Sequence, residues 1–395
     1  MTVAADQPAP LAGLRVVDLG QVLASPFGAY LLGLLGADVI KVEPPGGDWL
    51  RRGGSLGFAT QNGDKRSVVV DLKREGAADI VLRLVEGADV FLEGFAPGTA
   101  EAMGLGWEAV RARNPKIVYA SLSAFGDAGP FAGRPGFDHV VQATTGIMTS
   151  TGFPDSPPTK VGSPYLDYGG GLLLGFATLA ALLEQRRTGD AVQVDVTMID
   201  AGLLFNAGGL VRSANLGMEL PRTGNAAFSG AVASGAFETA DGLLMVAANK
   251  VSHFVRLCDL LGLDDLADRT ELAAPGADPG EVETARARMA EALLTASASE
   301  WEDRLAAAGI PGARVRSMLE TIADGHPAGR GLLTEIDLDG EKTLVPTAGI
   351  RLNGIMPGPT GPPPSVGQHT TEVLLAAGYT ESDLTDLESR DLIHR

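Results

Sequence analysis

The chain has 395 residues, 45% of them hydrophobic, with a single cysteine and 49 acidic against 31 basic residues, a formal charge of −18. That length passes the point at which one core stops growing, so two domains are expected, with apolar material enough for both. The acidic balance excludes a general electrostatic grip on nucleic acid or on an anionic membrane, and a lone cysteine excludes an intrachain disulfide.

The N-terminal MTVAADQPAP carries no basic segment followed by an apolar one, and no uninterrupted apolar run reaches about 18 residues, so a cytoplasmic protein is expected. Residues 14–19 (LRVVDL) read as a buried strand, 26–35 as a helix ended by Gly36, and 37–42 (ADVIKV) as a second strand. This βαβ opening invites a dinucleotide reading, with Glu43 where an acidic residue would meet a ribose. The turn Gly20-Gln-Val-Leu-Ala-Ser-Pro26 lacks the spaced glycines that let backbone approach a pyrophosphate, so nicotinamide binding is not expected. The pattern then repeats, with strands at 67–72, 89–93 and 116–122 and helices at 76–85 and 107–113. Strands alternating with helices imply an α/β fold whose parallel sheet is covered on both faces. Loops at 94–98 and 123–130 follow strand ends, where ligands of open α/β sheets gather.

Helices are expected at 137–146 and 172–184, a strand at 192–196, and a helix from 198 to about 216 that leads out of this domain. From Pro221 the character changes: 222–235 is rich in small residues, and 236–248 reads as a hairpin turning at Asp241-Gly242. Helices at 282–294 and 299–308 follow, then a Pro- and Gly-rich covering segment at 354–367 and a last helix at 370–377. The expected layout is a large domain over 1–205, completed by 325–395, and a small one over 222–320, with connections at 206–221 and 312–345.

Five histidines without paired spacing and one cysteine give no metal site, and Cys258 in an apolar context reads as core filler. Gly53-Gly-Ser55-Leu-Gly57 has the spacing of a nucleophile elbow but follows DWLRR instead of an apolar strand, and is a chance match. Between Lys41 and Arg74 basic residues exceed acidic ones by three, which marks either a local anion site or a solvated basic face. The chemistry-bearing stretch is Gly162-Ser-Pro-Tyr-Leu-Asp167-Tyr-Gly-Gly-Gly171. Asp167 reads in two ways: as a desolvated nucleophile whose oxyanion is met by the N–H groups of Gly169, Gly170 and Gly171, or as the cap of a helix beginning near Gly169.

Ordered matches span nearly the whole chain: LAGLRVVDL at 11–19, LLGADVIKVEPPGGD at 34–48, NGDKRS at 62–67, DLK at 71–73, FAPG at 95–98, GFD at 136–138, Asp167 with its glycines, and SVGQHT at 365–370. In these the chain resembles the class III CoA-transferases, with formyl-CoA transferase, carnitine CoA-transferases and α-methylacyl-CoA racemases among them. The resemblance implies a Rossmann-like large domain with a parallel sheet, a smaller α+β domain, and two protomers interlocked as a homodimer. It implies that Asp167 attacks an acyl-CoA, passes through an anhydride and then carries CoA as an aspartyl thioester. CoA, as substrate, would be held by Val22, Leu23 and Ala24, by Val70, Asp71, Leu72 and Lys73, by Gly94, Phe95 and Ala96, and by Phe137 and Asp138. Arginines of several family members are missing at Pro44, Ala96 and Ala102, and Arg51, Arg52 or Arg134 are the available substitutes. Gly169, Gly170, Arg222, Gly224 and Asn225 would face the acids exchanged, Arg222 meeting the acceptor carboxylate.

Departures separate the branches. Racemases carry a histidine where Phe137 stands and a glutamate that falls near Lys250, and His139 is one residue out of register. Formyl-CoA transferase has a glutamine at Leu23 and a nearly pure glycine loop at 224–230, so oxalate is not the expected acceptor. The expectation is a CoA-transferase that moves CoA from an acyl-CoA donor to a small carboxylic acid. A racemase or epimerase is the alternative, and a non-catalytic acyl-CoA-binding protein a third.

Overall fold

A computed structural model describes residues 7–227, 230–274 and 277–395. Twelve strands follow one another among them: β1 (Arg15–Asp18), β2 (Asp38–Glu43), β3 (Arg66–Val70), β4 (Val90–Glu93), β5 (Val118–Ser123), β6 (Val192–Thr197), β7 (Ser234–Glu238), β8 (Leu243–Ala247), β9 (Gly312–Arg314), β10 (Leu333–Leu338), β11 (Glu341–Pro346) and β12 (Ile393–His394). The chain divides into two compact units: Met1–Ile147 with Lys160–Met218 and Pro327–Arg395, and Met148–Thr159 with Glu219–His326.

The first unit is built on a seven-stranded sheet in the order β12-β3-β2-β1-β4-β5-β6. Every pairing is parallel except that of β12 on β3. Burial on both faces is why these strands read as continuous apolar runs: Val16 and Val17, or Val39 and Ile40, point to opposite faces and are all sealed from water. One face is covered by the helices Ala24–Leu34 and Tyr165–Thr188, whose Leu32, Leu174 and Ala181 pack on Val16, Val90 and Val118. The other is covered by Ala77–Val85, Trp107–Arg113, Thr370–Ala376 and Glu381–Ser389. The strand order reverses between β1 and β4, and the turns after these two strands bound the crevice in which such sheets take their ligands. Over the first unit the segment after Ile355 covers the loop before β3, Asp64 accepting from Thr360 N at 2.6 Å and Arg51 donating to Pro364 O at 2.9 Å.

Several elements differ from expectation. The helix expected at 172–184 runs from Tyr165 to Thr188 and contains Asp167 and all three glycines. It is long and apolar enough to cross a membrane by composition alone, yet Leu166, Leu174, Thr178 and Leu182 are buried in the core. The helix expected at 137–146 is the single turn Asp138–Gln142, and the one expected at 198–216 breaks at Asn206 into Met198–Phe205 and Ala207–Leu216. The helix at 370–376 is not the last, because Glu381–Ser389, begun by a Thr380–Asp383 capping box, returns the chain to the sheet as β12. Its polar, acidic sequence carries a weak apolar stripe, Leu384 and Leu387, and concealed it.

The glycines of the long helix serve packing. A Cβ on Gly28 would stand 2.9 Å from Gly171 O, and one on Gly171 would collide with Ala24 O, so the two helices touch backbone to backbone.

In the second unit β7, β8 and β9 form an antiparallel sheet in that order. Helices Val251–Leu261, Pro279–Leu293 and Ala298–Ala307 enclose a core of Phe237, Leu244, Phe254, Cys258, Met289 and Trp301. Trp301 donates to Leu293 O at 2.7 Å, which satisfies its buried indole N–H. Burial pushes the Cys258 thiol up to about 11, as befits core filler.

Replacing Gly171 by Ala is expected to destabilise the protein by about 1–3 kcal/mol through overpacking. At Gly175 a Cβ meets only ordinary contacts, the nearest at 3.8 Å. There the same substitution is expected to leave stability unchanged or raise it by up to about 1 kcal/mol, because alanine is the better helix former. Urea unfolding of the two variants checks the contrast.

Candidate active site

Asp167 lies in the first turn of Tyr165–Thr188, and that turn is capped from outside by Asp138. Asp138 Oδ2 accepts from Leu166 N at 2.6 Å and from Asp167 N at 3.4 Å, while Oδ1 accepts from Gln142 Nε2 at 2.6 Å. Tyr165 N is taken by Ser163 O at 2.8 Å. An acidic residue in a first turn is ordinarily lowered by the free N–H groups around it. Here Asp138 holds those donors, and Asp167 is left half-buried beside a like charge. Burial first, and the Asp138 carboxylate second, push Asp167 up to about 6. Neither sequence reading of the site survives intact: Asp167 is not the cap, and the N–H groups of Gly169, Gly170 and Gly171 lie inside the helix ladder, unavailable to an oxyanion.

Open donors stand at the neighbouring helix. Among the described residues the N–H groups of Ala24 and Ser25, which begin Ala24–Leu34, have no acceptor, and the buried Ser25 hydroxyl has no partner. This helix end packs against the Asp167 helix through Ala24 O and Gly171, and Phe27 meets Tyr168 edge to face at 5.0 Å. Gly20 and Gly94 close over Ser25, since a Cβ on either would stand within 2.9 Å of its side chain. The segments named by resemblance at 22–24 and 94–96 are thus brought together at the crevice between β1 and β4, beside the helix of Asp167.

The turn after β1 is held by charge. Val22 has φ 67°, a left-handed conformation that a β-branched residue avoids. Its N–H donates to Asp48 Oδ1 and Oδ2 at 3.1 and 3.2 Å, and its carbonyl accepts from Gln61 Nε2 at 2.5 Å. Asp48 in turn pairs with Lys41 at 2.9 Å, both side chains wholly buried, and Lys41 also donates to Gly20 O at 2.6 Å. Lys65 pairs with Asp18 at 2.9 Å and donates to Pro26 O; burial pulls its ammonium down to about 8 against the pull of Asp18. Glu43 has both oxygens on Arg51 and takes the Ser67 hydroxyl, so its oxygens serve an internal ion pair. Burial acts upward on that carboxyl, and the Arg51 and Lys41 charges outweigh it.

The anion site expected from the basic stretch is thereby reduced. Lys41, Arg51, Lys65, Arg66 and Arg74 are all in ion pairs, and among the described residues only Arg52 and Lys73 of that stretch are not. Lys73 is exposed after β3, where Val70 is buried in the core and Asp71 turns the chain by accepting from Lys73 N at 3.2 Å. Leu72 packs partly buried against the same core. Phe95 and Ala96 line a cavity of about 110 Å³ with Glu93, Glu101, Asp127 and Asp195. Burial, with Glu101 and Asp195 nearby, pushes Glu93 up to about 7. So acidic a cavity repels phosphate. Arg134 lies exposed over Phe131 at 4.9 Å, and Phe137 is exposed and stacked on His139. Arg222, Gly224 and Asn225 belong to the second unit. There Arg222 donates to the carbonyls of Thr149, Phe153 and Pro154 at 3.3–3.5 Å, Gly224 packs on Phe153, and Asn225 O accepts from Ala236 N. Among the described residues no group of three or more His, Cys, Asp or Glu side chains is placed to hold a metal.

A family model described as "CoA-transferase family III" matches residues 11–370. The chain belongs to that family. It is 36% identical to the acetyl-CoA:oxalate CoA-transferase of Acetobacter aceti, over 84% of this chain and 87% of the relative. It is 35% identical to the succinyl-CoA:mesaconate CoA-transferase of Haloarcula marismortui, over 96% and 98%. The crystal structure of Rv3272 from Mycobacterium tuberculosis superposes with a TM-score of 0.84 at 34% identity, over 93% of this chain and all of the other.

Sequence reasoning missed what holds this family III site: the capping use of Asp138, and the roles of Asp48, Gln61, Tyr168 and Phe27. Asp138 was named for CoA, and no spacing rule links it to a helix 28 residues on. The raised Asp167 carboxyl has a consequence for stability. The folded protein keeps the proton that the unfolded chain releases near 3.8, so folding stability falls as pH rises from there through about 6. Asp167→Asn is expected to stabilise the protein by about 1–2 kcal/mol at pH 8, discounted for partial exposure, and to lose that advantage near pH 4. Urea titrations at the two pH values check it.

Proposed function

We propose that this CoA-transferase moves CoA from an acyl-CoA donor to a small carboxylic acid through a covalent aspartyl-CoA thioester on Asp167. The observation that carries the reading is a carboxylate raised by burial, without a cationic partner among the described residues, in a family III chain. Desolvation leaves such a group reactive toward an activated carbonyl. An Asp167 oxygen attacks the thioester carbonyl, the C–S bond breaks, and CoA leaves as thiolate from a mixed anhydride. The thiolate attacks the aspartyl carbonyl and expels the donor acid, leaving aspartyl-CoA. The acceptor carboxylate opens that thioester to a second anhydride, and the thiolate takes the acceptor's acyl carbon and frees Asp167. No proton changes hands, so a carboxylate without an acid–base partner suffices. The open N–H groups of Ala24 and Ser25 are the donors proposed for the oxyanions, in place of the helix glycines.

CoA is proposed to lie along the crevice between the 22–24 and 94–96 turns. Its phosphates turn toward Lys73 and away from the acidic cavity. The acceptor is proposed to be a small dicarboxylate, since the relatives are named for oxalate, mesaconate and glutarate. The relative named for oxalate keeps that acid among the proposed acceptors. A homodimer is proposed as well: Leu172, Phe176 and Leu183 on the long helix, and Leu204, Phe205, Leu210 and Val211 on the two that follow, are exposed in the single chain.

Hydroxylamine or borohydride trapping after donor addition is expected to label the peptide of Asp167, read by mass spectrometry. An unlabelled enzyme that still turns over would sink the covalent mechanism. Asp167→Ala is expected to abolish transfer while CoA still binds. Arg222 has no carboxylate partner among the described residues and is proposed to meet the acceptor. Arg222→Ala is expected to raise the acceptor KM about tenfold or more, with the donor KM unchanged, in steady-state assays.

A further inference from the structure

The left-handed turn at Val22 is held from two sides by buried groups of different loops. Asp48 takes the N–H, and Gln61, itself wholly buried, donates to the carbonyl at 2.5 Å. Backbone held in a sparsely populated conformation persists only where its surroundings over-determine it. Gln61 Oε1 in turn accepts from the Thr60 hydroxyl at 3.2 Å. Tyr168 follows Asp167 directly, and its ring is braced by Phe27 from the helix that the Val22 turn begins. The Val22 turn is thus joined to the turn that carries Asp167 through the start of the helix Ala24–Leu34, by Phe27 on Tyr168 and by Ala24 O against Gly171.

We infer that Gln61 is a positioning residue for acyl transfer. By fixing Val22 in its left-handed conformation it sets the open donors of Ala24 and Ser25 against Asp167, and it touches no substrate itself. Asp48 also constrains Val22, but it is tied into the Lys41 pair and its loss would leave a buried charge. Gln61 has a neutral side chain, and its removal releases the Val22 carbonyl while leaving the ion pairs in place. Val22 then gains by returning to negative φ, and the turn shifts. Glycine at position 22 would occupy either region at little cost, so that Asp48 alone would hold the turn.

This rests on the reading of Asp167 as nucleophile, and a double-mutant cycle separates the two. The readout is the single-turnover rate at which acyl-CoA labels Asp167, trapped with hydroxylamine in the absence of acceptor. Gln61→Leu is expected to slow labelling about tenfold in the parent, and to change it by less than about twofold when introduced into a Val22→Gly background, whatever rate that background sets. A merely structural role for Gln61 would give the same loss on both backgrounds. Labelling of Gln61→Leu at the parent rate, or the same tenfold loss on the Val22→Gly background, overturns the inference. Should Gln61→Leu fail to fold, Gln61→Asn, whose shortened amide cannot span the gap, is carried through the same cycle with the same outcomes. A parent enzyme that turns over without labelling would instead reject Asp167 as nucleophile.

Discussion

The hydrogen bond from Leu166 N to Asp138 Oδ2 decides most of what this site can do. It places the start of the long helix at Tyr165, so that Asp167 falls in the first turn and not ahead of it. It also spends the donors that would have stabilised Asp167 as an anion, and it brings a second carboxylate close. A helix N-terminus is normally a place where negative charge is welcome. Here it is made poorer by one residue's capping of another's helix, and the raised carboxyl is the result.

Around that carboxylate the packing is as close as backbone allows. Gly28 and Gly171 bring two helices into contact, and the turn after β1 is pulled into a left-handed conformation by buried side chains. The ion pairs of Lys41 with Asp48 and Lys65 with Asp18 are costly to desolvate, and a pair of hydrophobic residues could occupy such volume more cheaply. Both lysines also donate to backbone carbonyls of the β1–helix connection, Gly20 and Pro26. Their benefit is therefore geometric. They fix the shape of a connection that has neither regular structure nor the spaced glycines of a phosphate-binding turn.

Recognition of phosphate was the least legible feature. A run with excess basic charge looks like an anion site in one dimension. In three dimensions most of its charges face carboxylates, because ion pairing depends on which loops the sheet brings together. The Phe95–Ala96 rim, named by resemblance, opens instead on a cavity whose carboxylates come from β4 (Glu93), the helical turn Thr99–Ala102 (Glu101), the loop after β5 (Asp127) and β6 (Asp195).

Sequence alone determined the alternation of strands and helices and the parallel sheet. Those features rest on local periodicity, a property of neighbouring residues, whereas Asp167 beside its glycines read either as a nucleophile or as a helix cap until the family resemblance was weighed. Tertiary structure alone decided that the glycines pack helices instead of binding an oxyanion, that Asp138 caps a helix 28 residues away, and that Gln61 and Asp48 hold Val22. It also added the acidic helix Glu381–Ser389 and the antiparallel edge strand β12. The physical reason is common to all of them. A hydrogen bond or close contact between distant segments leaves no period in the sequence, and a carboxylate's charge state follows from the burial and neighbours that only the folded chain supplies.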